Sequence, residues 1–421
     1  MEAKVMKRLL LFLMPILALH AAEPQPIALH AHRLLDVRSG NVSDAWIIVR
    51  GERIESITDS APAGAKVIDL GDATVLPGLI DCHVHLNGDW NDLSATSYLR
   101  TSSPQKILFG IKNANEYLSR GFTTLRDAGE GDPAYGQVAL RDAYAKGMFK
   151  GPRLFVAGIP VSLTGGHADL NPLAPDVPLP PFSNIADTVD DVHKAVRHDL
   201  RNGVDWIKLM ATGGVGDVLS DYNVQELSDD QLRAAVEDAH RAHRRTMAHA
   251  EGLPGIKAAV RAGVDTIEHG TLLDDETAAE MAQRGTWLVP TLETFQRGVE
   301  IGLAEGQEAI SLEKGKAILP FQKKAFEAAL RHHVKIAYGL DDNPIYVQRE
   351  FDALVKGGLT PLQAIQAATT NAAELLQASD RLGSIEAGKY ADVIAVNGDP
   401  LRDLKALSKV VFVMKGGEVI R

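Results

Sequence analysis

Pro77-Gly78-Leu79-Ile80-Asp81-Cys82-His83-Val84-His85 reads as a short apolar strand that ends in two histidines one residue apart. Successive side chains of a strand alternate faces, so His83 and His85 point one way, and Cys82 and Val84 the other. Two imidazoles side by side at a strand end can bind one metal ion. Taken alone, such a pair is more often two ordinary histidines near a turn. Residues further along the chain overturn that reading here.

Downstream of this stretch, strand and helix patterns alternate. Strand patterns fall at 79–85, 123–127, 153–157, 206–210, 246–249, 266–269, 287–291 and 334–339. Stretches with apolar residues at 3.6 spacing separate them, as at 104–119, 187–202, 229–243 and 277–283. Two longer helical stretches, 311–332 and 361–377, close the region. Eight strands alternating with helices predict an α/β protein with a (β/α)₈ TIM barrel over residues 77–383. The blocks on either side, 23–76 and 384–421, read instead as short strands broken by Gly, Asp and Pro. Neither is long enough for a β-domain of its own, which predicts a small β-sandwich built from both chain ends. The Pro- and Gly-rich stretch 158–184 reads as a long loop of the functional kind.

The chain has 421 residues, 45% hydrophobic and 24% charged, with a formal net charge of −11. This suits a large-cored enzyme and argues against nucleic acid as a partner, since nucleic-acid binding needs clustered Lys and Arg. The first residues look like a targeting signal. Lys4, Lys7 and Arg8 precede an apolar run at 9–19, then small Ala21 and Ala22. That order marks residues 1–22 as a signal peptide and predicts a periplasmic or secreted protein, with no stable membrane insertion after cleavage. The one cysteine, Cys82, allows no internal disulfide and reads as a core residue.

Barrel active sites lie at the C-terminal ends of the strands. The first strand ends in His83 and His85, the fourth in Lys208, the fifth in His249, the sixth in His269 and the eighth in Asp341. Six groups able to titrate or to bind metal thus converge on one rim. A buried ammonium beside a divalent cation is strongly disfavoured. Desolvation favours the neutral amine, which can react with carbon dioxide to give a carbamate, an anion able to bridge two metals.

With these residues in view, the chain resembles the metal-dependent amidohydrolase superfamily, in its binuclear branch with a carboxylated lysine. The motifs are Leu76-Pro77-Gly78-Leu79-Ile80-Asp81-Cys82-His83-Val84-His85, Ile207-Lys208-Leu209-Met210-Ala211-Thr212-Gly213-Gly214-Val215, His249-Ala250, Ile267-Glu268-His269-Gly270, Gly339-Leu340-Asp341 and Gly383-Ser384-Ile385-Glu386-Ala387-Gly388. Within the superfamily it is similar to the imidazolonepropionase-like group. That group includes Xaa-Pro and Xaa-Arg/Lys dipeptidases and enzymes that hydrolyse ochratoxin A. The resemblance implies that His83, His85 and Asp341 hold one metal, that His249 and His269 hold another, and that Lys208 bridges them as N6-carboxylysine. Zinc is the metal best suited to such ligands, and manganese or cobalt would also fit. It further implies that Asp341 acts as base and then acid, that His167 and Tyr222 touch substrate or its oxyanion, and that the chain forms a homo-oligomer. Strand-end position favours Asp341 over Asp342 as the ligand.

The implied reaction is cleavage of a small-molecule amide or dipeptide that releases an amino acid. A cyclic-amide hydrolase or deaminase on the same scaffold is the alternative enzyme, and a catalytically silent binding protein is the alternative of another class. Glu251, close to His249, suits a deaminase; Lys208 argues against one. His30 and His32, in the N-terminal block, and the helical His193, His198, His240, His243, His332 and His333 receive no role.

Overall fold

A computed structural model describes residues 25–94, 96–169, 173–174, 176–179 and 182–421. The targeting signal expected at 1–22 lies outside the described residues. Among those described, no helix is long and apolar enough to cross a membrane.

The two chain ends meet in one sheet. Its strands run, from one edge, Glu418–Val419, Val410–Lys415, Val393–Val396, Thr74–Pro77, Ile27–Leu35, Val42–Arg50 and Arg53–Thr58. The junction is antiparallel: Val393 faces Pro77, Ile394 faces Leu76 and Ala395 faces Val75. Both chain ends thus contribute to one small β-domain, whose strands link into a single forked sheet. Strand Ile27–Leu35 shifts register between Ala31 and Leu34. Ahead of that bulge it pairs in parallel with Lys66–Asp69, and beyond it with Thr74–Pro77. A bulge bends and twists its strand, which lets one flank carry two partners in succession. Leu29, Ile47, Ile54, Val75, Val393, Phe412 and Met414 fill the fork's own core.

Parallel strands occupy the region between. Leu79–Val84, Phe122–Asp127 and Arg153–Val156 form one sheet. Asn184–Ile185, Val161–Ser162, Trp206–Met210, Arg245–Ala250, Thr266–His269 and Trp287–Val289 form another. Nearly every residue of the central strands is buried, as expected for parallel strands covered on both faces. The third strand is interrupted rather than ended. Ala157 bridges to Trp206, and the chain rejoins the same neighbour where Val161 pairs with Leu209.

The eighth expected strand, 334–339, is reduced to one parallel bridge, Ile336 to Leu288. Its backbone still links both neighbours: Leu288 N donates to Lys335 O, and Cys82 N to Tyr338 O, each at 2.9 Å. The ladder breaks because a helix end intrudes. Tyr338 N donates to Ala367 O and Ile80 N to Ala368 O, so two amides of facing segments bond to that helix instead. The helix expected over 361–377 is correspondingly two, Pro361–Ala367 and Thr370–Leu375. Thr369 between them turns its hydroxyl back onto Ile365 O at 2.7 Å and leaves helical geometry, a competition with backbone bonding typical of threonine.

The other helices follow their sequence signals. Ser228 and Gln231 form a capping box for Asp229–Arg241. Thr188 caps Val189–Arg201, which has Asp190 and Asp191 in its first turn and Arg201 in its last, an order that complements the helix dipole. Asp199 of this helix is wholly buried and accepts from Tyr135 Oη at 2.7 Å and Asn184 Nδ2 at 3.1 Å, which ties the long loop to the helix. Burial pushes its carboxyl up to about 7, against the pull of these donors.

Two outcomes are expected. Gly78→Ala would drive its Cβ to 2.1 Å from Thr123 Oγ1, and a denaturant titration should show a loss of about 1–3 kcal/mol, the range for overpacking. Asp199 holds its proton more tightly folded than unfolded, so its contribution to stability is lost as pH rises from about 4 to about 7. Asp199→Asn should therefore gain on the wild type across that window, by roughly 4 kcal/mol at most, when unfolding is followed at about pH 4 and about pH 8.

Candidate metal centre

The strand ends enclose a cavity of about 380 Å³. His83, His85, Lys208, His249, His269, Asp341 and His167 all line it. Its remaining wall is largely apolar, with Pro160, Phe182, Met210, Val215, Phe295 and Val299. Tyr222 is not among the lining residues; it is half-buried against the cluster of Val215, Phe295 and Ile318.

Each rim histidine has one nitrogen engaged by the protein. His83 Nδ1 lies 2.7 Å from Glu268 Oε2. Glu268 is itself wholly buried, accepts from Arg126 Nη2 at 2.9 Å, and accepts from Thr266. His85 Nδ1 donates to Gly129 O at 2.8 Å, and His249 Nε2 to Gly213 O at 3.1 Å. His269 Nδ1 meets Thr291 Oγ1 at 2.7 Å. A neutral imidazole that donates from one nitrogen keeps a lone pair on the other. His83 Nε2 is buried and has no hydrogen-bond partner. Among the described residues, Lys208 Nζ has no hydrogen bond or ion pair either, although the side chain is 2% exposed.

Burial holds the imidazoles neutral. It lowers His83, His249 and His269 well below the usual histidine range, and lowers His85 to about 4, where the charge of Lys208 adds to the effect. Burial also lowers Lys208, opposed by the negative charges of Glu268 and Asp341. Asp341 is raised to about 7 by burial, with Lys208 opposing.

The two adjacent aspartates go separate ways. Asp341 Oδ1 sits 3.6 Å from His83 Nε2 and 3.5 Å from His85 Nε2, and Oδ2 is 4.0 Å from His269 Nδ1. Asp342 turns away from the cavity to pair with Arg297 in the interior. Ligand atoms of His83, His269 and Asp341 lie within 4.8 Å of one another. An orphaned imidazole nitrogen, a carboxylate and a neutral-leaning amine on one rim form a donor set that fits divalent cations.

The backbone at the rim is itself unusual. His269, Thr291 and Asp341 all take positive φ, at 71°, 44° and 55°. Such conformations cost on the order of 1–3 kcal/mol each and cluster at functional sites. They turn each side chain at the point where its strand stops.

His167 comes from the long loop. Its ring stacks on His249 with centroids 4.2 Å apart, and its Nδ1 reaches Asp217 Oδ2 at 2.5 Å. Burial would raise Asp217, yet the bond to His167 and its charge bring the carboxyl down to about 2. Gly214 permits the close approach, since a Cβ there would lie 2.2 Å from the imidazole. Lys314 Nζ donates to Gly214 O, Asp217 O and Ser220 O, which fixes the loop holding Asp217.

Sequence reasoning missed Glu268, Arg126, Thr291 and Asp217. A charged residue inside an otherwise apolar strand, as with Arg126 and Glu268, is a signal that could have flagged the first two. Of the six histidines read as helical and left without a role, three pair with carboxylates, His193 with Asp238, His240 with Asp265 and His332 with Asp275, and His198 meets Tyr135 Oη.

Known proteins resemble this chain over nearly its whole length. The amidohydrolase family profile matches residues 74–420. Ochratoxinase of Aspergillus niger is 31% identical over 97% of this chain and 89% of its own length. A crystal structure of a Xaa-Pro dipeptidase with methionine bound in its active site superposes with a TM-score of 0.88 at 34% identity, covering 94% of this chain and all of that one. The crystal structure of the A. niger ochratoxinase gives 0.82 at 29% identity, covering 95% and 96%. The profile match runs from the strand that knits the chain ends together, across the histidine-lined cavity, to the last strand of the same sheet, and the chain belongs to the amidohydrolase family.

Proposed function

We propose that the protein is a binuclear metal-dependent amidohydrolase that cleaves an amide bond to release an amino acid. Dipeptides and N-acyl amino acids, ochratoxin A among them, are the substrate class. The observation that carries this reading is the tautomer pattern at the rim. Each rim imidazole has one nitrogen engaged by Glu268, Gly129, Gly213 or Thr291, and His83 Nε2 is left buried without a partner. Similarity to an ochratoxinase and to a Xaa-Pro dipeptidase supports the choice of substrate.

In this reading His83, His85 and Asp341 would hold one cation and His249 and His269 the other, with Lys208, as a carbamate, an anionic ligand for both. The isolated, desolvated amine favours carbamate formation. Two divalent cations, zinc by ligand type, would lower the pKa of a water between them and polarise the scissile carbonyl. Asp341 takes a proton from the attacking water and returns it to the leaving nitrogen, which an amide needs in order to depart. His167, oriented by Asp217, donates to the oxygen that becomes negative. Tyr222 supports the wall through Val215 and Phe295. The apolar lining suits the non-reacting part of an acyl or side-chain group.

The wider reading has residues 77–383 closing as a (β/α)₈ barrel through the 334–339 segment, with 23–76 and 384–421 forming the appended β-domain. It also has residues 1–22 directing export, and the mature chain assembling as a homo-oligomer. A cyclic-amide hydrolase or deaminase is the alternative, favoured by Glu251, whose Oε1 is 3.7 Å from His249 Nε2 and whose Oε2 is buried without a partner.

Assay of metal-reconstituted protein against dipeptides, N-acyl amino acids and cyclic amides tests the substrate class; turnover of cyclic amides or amines alone would overturn it. Chelation should abolish activity and two equivalents of zinc per chain should restore it, whereas full recovery at one equivalent would favour the deaminase. Lys208→Ala should lower kcat by at least about 10³-fold, and native mass spectrometry should show the wild type heavier by one carbon dioxide. His167→Asn should cost about 10²–10³ in kcat with little change in KM, as for a lost oxyanion donor.

A further inference from the structure

A second cluster of histidines and carboxylates stands on the forked sheet, outside the cavity. His30 and His32 alternate along strand Ile27–Leu35 and so share a face. Asp44 comes from the neighbouring strand Val42–Arg50, and Asp69 lies opposite His30 in the parallel pairing. The two carboxylates bracket the two rings. Asp44 Oδ1 is 3.1 Å from His30 Nε2, and Asp44 Oδ2 is 3.1 Å from His32 Nδ1. On the other side, Asp69 Oδ1 is 3.2 Å from His32 Nε2 and Oδ2 is 4.0 Å from His30 Nδ1.

All four ring nitrogens therefore face carboxylate oxygens. A neutral imidazole has one N–H and one lone pair. Two neutral rings can donate only twice, which leaves two lone pairs pointed at anionic oxygens. Protonating both rings would remove that conflict, and so would a cation between Asp44 and the rings, which alone leaves the imidazoles neutral. The cation would take the lone pairs of His30 Nε2 and His32 Nδ1 and the charge of Asp44, leaving the N–H of each ring directed at Asp69. A carboxylate behind a metal-binding imidazole is the usual outer partner of such sites. The spacing agrees: ligand atoms about 2.1 Å from a cation sit roughly 3.0–3.4 Å apart in octahedral or tetrahedral shells. The ligand atoms of His30, His32 and Asp44 all lie within 4.8 Å of one another. Trp46 stacks on His30 at 4.0 Å with planes 7° apart, which fixes that ring.

We propose that His30, His32 and Asp44, oriented by Asp69, form a further divalent-metal site that clasps the strands of the chain-end sheet. Two imidazoles select zinc, copper or nickel over calcium or magnesium. The exposure of both carboxylates, 60% and 59%, makes the ion exchangeable with solvent.

Trp46 supplies a readout independent of catalysis. Zinc-loaded enzyme is titrated with copper(II) while tryptophan fluorescence is followed. The wild type should lose Trp46 emission saturably at one equivalent, with affinity at least tenfold weaker in Asp44→Asn and His32→Gln. Asp69→Asn should weaken it about tenfold, as for a lost outer partner. Trp46→Phe leaves every ligand in place and should lose the quenching while keeping the ion. Equilibrium dialysis against zinc should give one ion more per chain for the wild type and Trp46→Phe than for Asp44→Asn, with hydrolytic activity equal in all three. Equal zinc content in the wild type and Asp44→Asn, or quenching of unchanged affinity in the ligand variants, overturns the site. So does quenching that survives Trp46→Phe.

Discussion

The arrangement of the rim depends on one wholly buried carboxylate. Glu268 accepts from His83 Nδ1 on the first strand, from Arg126 on the second and from Thr266 on its own. Arg126, equally buried, also donates to Cys82 O and lies over the Trp206 ring at 4.6 Å. Burying such a pair is costly and is offset only where the remaining polar atoms find partners. Here they do, and the arrangement yields something a hydrophobic contact could not. It fixes which nitrogen of His83 carries the proton, and so which one is offered to the cavity.

The same device recurs with other acceptors around the rim. Carbonyls of Gly129 and Gly213 and the hydroxyl of Thr291 set the orientation of His85, His249 and His269. The long loop adds a pair in which Asp217 orients His167 against the face of His249. Local strain follows from this requirement. A strand's own geometry would carry His269 and Asp341 past the cavity, and positive φ at both turns them into it. Rigid strands supply the positions, and the first residues beyond them supply the aim.

Much of this was legible in the sequence, because it rests on local pattern. Strand and helix patterning identified seven parallel strands to within a few residues, and strand-end position brought His83, His85, His249, His269 and Asp341 together, while Lys208 joins them from the middle of Trp206–Met210 rather than from its end. The failures have long-range causes. Segment 334–339 has the composition of a strand, yet carbonyls of Ala367 and Ala368 take amides that a ladder would use. The fork in the chain-end sheet comes from a register shift at Ala31–Leu34 that no local signal announces. Tyr222 reads as a loop residue placed to touch substrate, and the structure packs it on the cluster of Val215, Phe295 and Ile318, off the cavity lining. His30 and His32 looked inert because Asp44 and Asp69 join them only through strand pairing.

The chain-end sheet also bears on how the protein is made. Thr74–Pro77 is flanked on one side by Ile27–Leu35 and on the other by Val393–Val396, more than three hundred residues later. During synthesis the early strands keep one edge bare until Val393–Val396 emerges. An open edge along Thr74–Pro77 is a template for mispairing, and pairing across so long a sequence separation is slow to form and leaves that edge exposed in the meantime. A chain that stops short of Val393–Val396 would therefore keep that edge open to pairing with a second copy.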